Sequence, residues 1–208
     1  GRMLNIGTAD LDAMRPVVWS IGAIANSGHP RALDLIRRIL LASSSIPGAF
    51  PPVLIEVEAG DEQFDELHVD GGTTSQVFLY PTGLDWDAVL KKLQVPGRPK
   101  VYVIRNSRLD PPYEQVKNKL FPIAKRSISS LVRTQGIGDL YRIYLQTCRD
   151  GLEFNLASIP TDFHAESDGL LDPAYMKKLF ARAFDLAKAG YPWEKMPPEL
   201  STAPLECR

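Results

Sequence analysis

Asp70-Gly71-Gly72 is the tripeptide of this sequence best suited to chemistry. It closes the stretch from Phe64 to Val69, whose alternation reads as a strand. A carboxylate at the C-terminal end of a strand projects into the loop layer, where open α/β sheets bind ligands. The two glycines permit backbone angles closed to other residues and leave room for a substrate or a second chain segment. A general base needs that combination of rigid mounting and open access. Taken alone, the tripeptide reads first as a turn, because Asp-Gly pairs recur at Asp150-Gly151 and Asp168-Gly169.

The other chemistry-bearing residues offer less. His29 precedes Pro30 and suits a cap or turn, and His68 calls for a cross-strand carboxylate such as Glu56 or Glu58. His164 lies in the unpatterned loop Thr161 to Glu166. A Ser…Asp…His order from Ser43–Ser45, Asp70 and His164 lacks the strand–turn–helix elbow that such a triad needs. Asp10-Leu11-Asp12 and Asp85-Trp86-Asp87 have no nearby histidine or third carboxylate, so capping explains them better than a metal. Gly136-Ile137-Gly138 lacks the third glycine of a dinucleotide fingerprint. Lys91, Lys92, Arg98 and Lys100 read as a solvated helix end, with peripheral contact to anionic lipid headgroups as the second reading. Cys148 and Cys207 are the only cysteines, too few for a disulfide framework or a four-cysteine zinc site. No metal and no cofactor is expected.

The elements that must position Asp70 follow from patterning. The apolar runs Met3 to Gly7 and Val17 to Ala25 predict strands buried on both faces rather than a half-exposed hairpin. Pro30 suits the first position of a helix whose inward residues are Ala32, Leu33, Ile36, Ile39 and Leu40. Ser43 to Pro52 must be irregular. Val53 to Val57 and Phe64 to Val69 form a hairpin around Ala59 to Glu62. Asp85 caps a short helix from Trp86 to Leu93, and Lys100 to Arg105 is a buried-type strand. A helical region from about Tyr113 to Cys148 should kink at Pro122 and break at Gly136–Gly138. After a strand over Gly151 to Ile159, Asp172-Pro173 opens a helix with Met176, Leu179, Phe180, Ala183 and Ala187 inward. Residues 190–208 read as a surface strap, and strands mixed with helices argue for one α/β layer domain.

The composition is that of a globular chain of 208 residues, 44% apolar and with a net charge of −1. Near-neutral charge leaves no electrostatic footprint for general nucleic-acid binding. No apolar run is long enough to cross a bilayer, so no transmembrane segment is expected. The compartment stays open.

Three stretches taken together resemble the patatin-like phospholipases, particularly the bacterial ones: Ile6 to Asp12, Ala42 to Pro52, and His68-Val69-Asp70-Gly71-Gly72. The run Ala42-Ser43-Ser44-Ser45-Ile46-Pro47-Gly48-Ala49-Phe50 followed by Asp-Gly-Gly carries most of the resemblance. It extends through Phe78-Leu79-Tyr80-Pro81, Ile159-Pro160 and Trp193-Glu194. The resemblance implies an α/β three-layer sandwich, with a mixed central sheet between helices. It also implies hydrolysis of lipid esters by a Ser–Asp dyad, with Asp70 as base and Gly71 and Gly72 shaping its loop. A serine hydroxyl attacks poorly unless a neighbour takes its proton, and backbone amides must meet the oxyanion.

The sequence departs from that family at two points. No Gly-x-Ser-x-Gly elbow occurs, the nearest look being Ala25-Asn26-Ser27-Gly28, and no glycine-rich oxyanion loop precedes Met3. The chain is therefore expected to be the C-terminal portion of one patatin-like domain, incomplete at its N-terminus and inactive alone. It would be partnered by an N-terminal segment bearing the serine elbow and the oxyanion loop. The alternative is a non-catalytic domain of the same ancestry that binds lipid or protein.

Overall fold

The computed structural model describes residues 2–79, 86–94, 96–110, 113–167, 169 and 171–198. They form a mixed α/β protein whose contacts gather into two compact units, Gly1–Phe78 with Ser127–Gly136, and Leu79–Arg126 with Ile137–Arg208.

The first unit is built on strands β1 (Asn5–Asp10), β2 (Arg15–Ser20), β3 (Val53–Ala59) and β4 (Glu62–Asp70). They run in the order β2-β1-β4-β3, every neighbouring pair antiparallel. The expected doubly buried strands are instead a half-exposed hairpin, because the chain reverses over Leu11–Met14 and leaves β2 at the sheet edge. Only Thr8, Ala9 and Asp10 of β1 are buried on both sides, while Val18 of β2 stays exposed. The strand predicted to reach Ala25 ends at Ser20, and Ile21–Ala25 form the short helix α1.

Helix α2 (Ala32–Ser43) begins two residues beyond Pro30, so the proline stands before the helix and not at its first position. Of its expected inward residues Ala32, Ile36 and Ile39 are buried or half-buried while Leu33 and Leu40 stay exposed, and Leu35 and Ala42 point in as well. Ile39 and Ala42 form the core with Ile55, packed round by Ile6, Trp19, Ile21 and Ile24. Burying side chains of this size stabilises by about 1.5–3 kcal/mol each. The β3–β4 hairpin forms as predicted, turning at Gly60 (φ 68°) with Val53 opposite His68.

In the second unit, β5 (Lys100–Arg108) and β6 (Glu153–Ile159) pair in parallel. Parallel neighbours need a long crossover, supplied by α4 (Leu120–Arg149). The predicted break at Gly136–Gly138 does not occur. Helix α4 runs through both glycines, and it begins at Leu120 rather than Tyr113. Leu140, Ile143, Tyr144 and Thr147 of α4 are buried, as are Val101, Val103, Phe154 and Leu156 of the strands. Tyr144 meets Phe154 edge-on at 5.5 Å.

Helix α3 (Trp86–Leu93) spans the predicted residues, whereas its expected cap Asp85 lies outside the described ones. Asp172 caps α5 (Pro173–Lys188) as expected, accepting from the amides of Ala174 and Tyr175. Of the predicted inward set of α5 only Leu179 holds. Tyr175, Leu179, Arg182 and Leu186 are half-buried, while Met176, Phe180, Ala183 and Ala187 are exposed. Beyond it, Glu194 bridges Leu156 through paired backbone bonds of 2.8 and 3.0 Å, extending the β6 edge. Among the described residues no helix is long and apolar enough to cross a membrane.

Candidate functional site

Asp70 ends β4 and starts the 3₁₀ turn Gly71–Thr73. Its amide donates to the carbonyl of Ser45 at 3.0 Å, which ties the strand end to the irregular segment after α2. Its side chain caps the turn, with Oδ1 accepting from the Gly72 amide at 2.7 Å. Among the described residues Oδ2 accepts no hydrogen bond. The carboxylate is thus half-buried and held by one oxygen, with the other open.

The glycines are required by space. A Cβ on Gly71 would stand 2.7 Å from the carbonyl oxygen of Gly7 and 2.8 Å from its carbon. Backbone cannot move aside as a flexible side chain can, so the turn approaches β1 only without a side chain. A Cβ on Gly72 would stand 3.0 Å from Asp70 Oδ1. Gly7 is itself constrained, since its Cβ would lie 2.9 Å from the Phe78 ring. The segment after the turn is fastened in the same unit: Gln76 Nε2 donates to the Val132 carbonyl at 2.8 Å, and Gln135 Nε2 donates to the Thr74 carbonyl.

Beside Asp70 runs a buried polar chain. Thr8 is the register partner of Asp70 across β1 and β4. Its hydroxyl accepts from Trp19 Nε1 at 2.8 Å and lies 3.0 Å from His68 Nδ1, while His68 Nε2 lies 3.1 Å from Glu66 Oε2. The indole can only donate, so the threonine proton points to His68 Nδ1 and the imidazole donates through Nε2 to Glu66. We assign that tautomer from the network. His68 is fully buried, and its partners are Thr8 and Glu66, not the predicted Glu56 or Glu58. Glu56 is drawn instead to Arg31 at 2.8 Å.

Asp10 continues this wall. Burial opposes its charged form, but hydrogen bonds from the Ala13 amide, the Arg15 guanidinium and the Asp12 amide hold the carboxyl below the ordinary aspartate range. Asp12 Oδ2 accepts from the Leu67 amide at 2.7 Å. Both acids of Asp10-Leu11-Asp12 therefore cap backbone. Among the described residues no three His, Cys, Asp or Glu side chains gather as a metal site requires.

The serines do not join Asp70. The hydroxyls of Ser44 and Ser45 donate to the carbonyls of Leu40 and Leu41 at 2.9 and 2.8 Å, closing the end of α2. Ser27 donates to the Ile24 carbonyl, and its Oγ accepts from the His29 amide, so the nearest elbow-like sequence forms a turn. His164 is exposed in the other unit. Residue patterning did not single out Thr8, Trp19 or the Ser45 carbonyl. Gly7 did carry a signal, since an isolated glycine inside a strand marks close backbone approach. The chain matches no protein-family description, and no curated protein matches it.

Proposed function

We propose that Asp70 is the proton acceptor of a Ser–Asp dyad in a patatin-like lipid acyl hydrolase. This chain supplies the base, and a further segment of the protein supplies the serine elbow and the oxyanion amides. The observation that carries the reading is the division of labour within one carboxylate: Gly72 fixes Oδ1, and Oδ2 accepts no hydrogen bond among the described residues. A serine hydroxyl donating to Oδ2 loses its proton as its oxygen attacks the ester carbonyl, and Asp70 then returns the proton to the departing alcohol. Anchoring Oδ1 keeps the carboxylate aligned through both transfers. The motif series from Ile6 to Gly72 supports the family. The finer fold in this proposal is the three-layer sandwich with a mixed central sheet; it rests on the motif series, since among the described residues the antiparallel and parallel pairs lie in two separate sheets.

The second reading, a non-catalytic lipid- or protein-binding domain, is favoured by one observation: no serine or threonine hydroxyl among the described residues bonds to Asp70. One assay separates the two. The chain is combined with its serine-bearing segment and given a short-chain aryl ester. The dyad predicts turnover that Asp70→Asn lowers by on the order of 100-fold or more. Turnover that survives the substitution removes Asp70 as base. Absence of turnover from the complete protein leaves the binding reading.

A further inference from the structure

We propose that a second site in the molecule, a groove between α5 and the β5–β6 sheet, binds a single-chain fatty carboxylate. The sheet dictates the groove. Val101, Val103 and Arg105 of β5 are buried on one face, leaving Tyr102 and Ile104 on the other, where the register sets Ile104 beside Ala157 of β6. Helix α5 crosses this second face without contributing one fully buried residue. A cleft of about 360 Å³ remains, floored by Ile104 and Ala157 and roofed by Leu179 and Leu186. That volume and apolar lining fall within the span of small-molecule sites, roughly 300–1,000 Å³ with a few placed polar groups. Tyr191 closes one side, its hydroxyl donating to the Ser158 carbonyl at 3.1 Å.

Charge selects the occupant. Among the described lining residues, Arg182 is the cation on this face and no carboxylate is present, since Arg105 belongs to the opposite face of β5. Arg182 gives Nη2 to Asp162 at 2.8 Å, while its Nε and Nη1 donate to nothing among the described residues. Arginine presents its donors as a planar fork that matches a carboxylate. An aliphatic tail over Ile104 and Ala157 with its carboxylate at Arg182 uses both halves of the groove. A cationic or purely apolar ligand uses only one.

The site stands on the second unit alone and does not depend on the role of Asp70. The test is calorimetric titration of the full chain with decanoate below its micellar concentration, against decyltrimethylammonium as a probe of the same tail and opposite head. Saturable binding of decanoate at least about tenfold tighter than the cation is expected, the size of one charge-assisted hydrogen bond. Arg182→Gln should remove about that factor. Ala183→Trp should fill the groove and weaken decanoate by tenfold or more, with Ala187→Trp as a second filling variant and circular dichroism confirming the fold of each. Equal binding of the two amphiphiles, no binding of decanoate, or unchanged affinity in both filled variants overturns the site. Asp70→Asn should bind decanoate as the parent does, so loss of turnover and loss of this site are separable results.

Discussion

The Asp70 turn and helix α5 hold their side chains by opposite means. At Asp70 the backbone is pressed so closely against β1 that no methyl group fits on Gly71, and the Gly72 amide holds one carboxylate oxygen. At α5 a whole helix rests on the protein with no fully buried residue and leaves an apolar cleft beneath it. Tight backbone packing suits a group that must point in one direction through proton transfers. A loosely seated amphipathic helix suits a ligand that must slide under it. The molecule thus holds one tightly packed turn and one loosely seated helix.

The comparison can be broken first in the second unit. If α4 carries its stability and α5 does not, Leu140→Ala at a fully buried position should cost about 2–5 kcal/mol. Leu179→Ala on half-buried α5 should cost about 1 kcal/mol or less. Equal shifts in urea midpoint would erase the distinction. Next in size is Thr8→Val, which leaves Trp19 Nε1 without its acceptor and His68 Nδ1 without its donor. Two such losses amount to roughly 2–4 kcal/mol, read from the same midpoints.

Gly71→Ala should follow at roughly 1–3 kcal/mol, the range for forcing a methyl into filled space, because it meets Gly7 backbone. Gly138→Ala has the opposite sign: it sits in α4 with nothing within 4 Å of its added Cβ and should stabilise by about 0.5–1 kcal/mol. Thermal melts that move the same way for both would refute the steric account of the turn.

The smallest effect is pH-dependent. Asp10 is held below the ordinary aspartate range, so its contribution is present above about pH 4 and lost as pH falls through the depressed folded value. Asp10→Asn should therefore lower stability at pH 7, with the gap to the parent closing under acid conditions. Arg15 is 59% exposed, so solvent screens its share of this effect.

Much of this architecture is legible in residue patterning. The β3–β4 hairpin, the Asp172 cap and the span of α3 all follow from local alternation and turn chemistry. The β1–β2 hairpin is misread because Val17 to Ala25 is apolar but for Ser20, and composition does not tell a core strand from an edge strand that runs into a helix. Gly136 and Gly138 weaken a helix by propensity, yet hydrogen bonds and packing carry α4 through them. At the site, Asp70 and its glycines announce themselves in sequence. The Ser45 carbonyl and the Thr8–His68 bridge do not, since they join residues far apart in the chain through tertiary contact.

Gly7, Gly71 and Phe78 form a short steric chain whose two ends differ in repairability. A methyl on Gly7 meets the edge of a ring that is 39% exposed and free to swing or shrink. A second substitution at Phe78 can therefore restore what the first one damages. A methyl on Gly71 meets main-chain carbonyl, and no exchange of side chain elsewhere can clear it. The turn beside Asp70 consequently has one position open to compensated change and one where the strain of an added side chain cannot be relieved elsewhere.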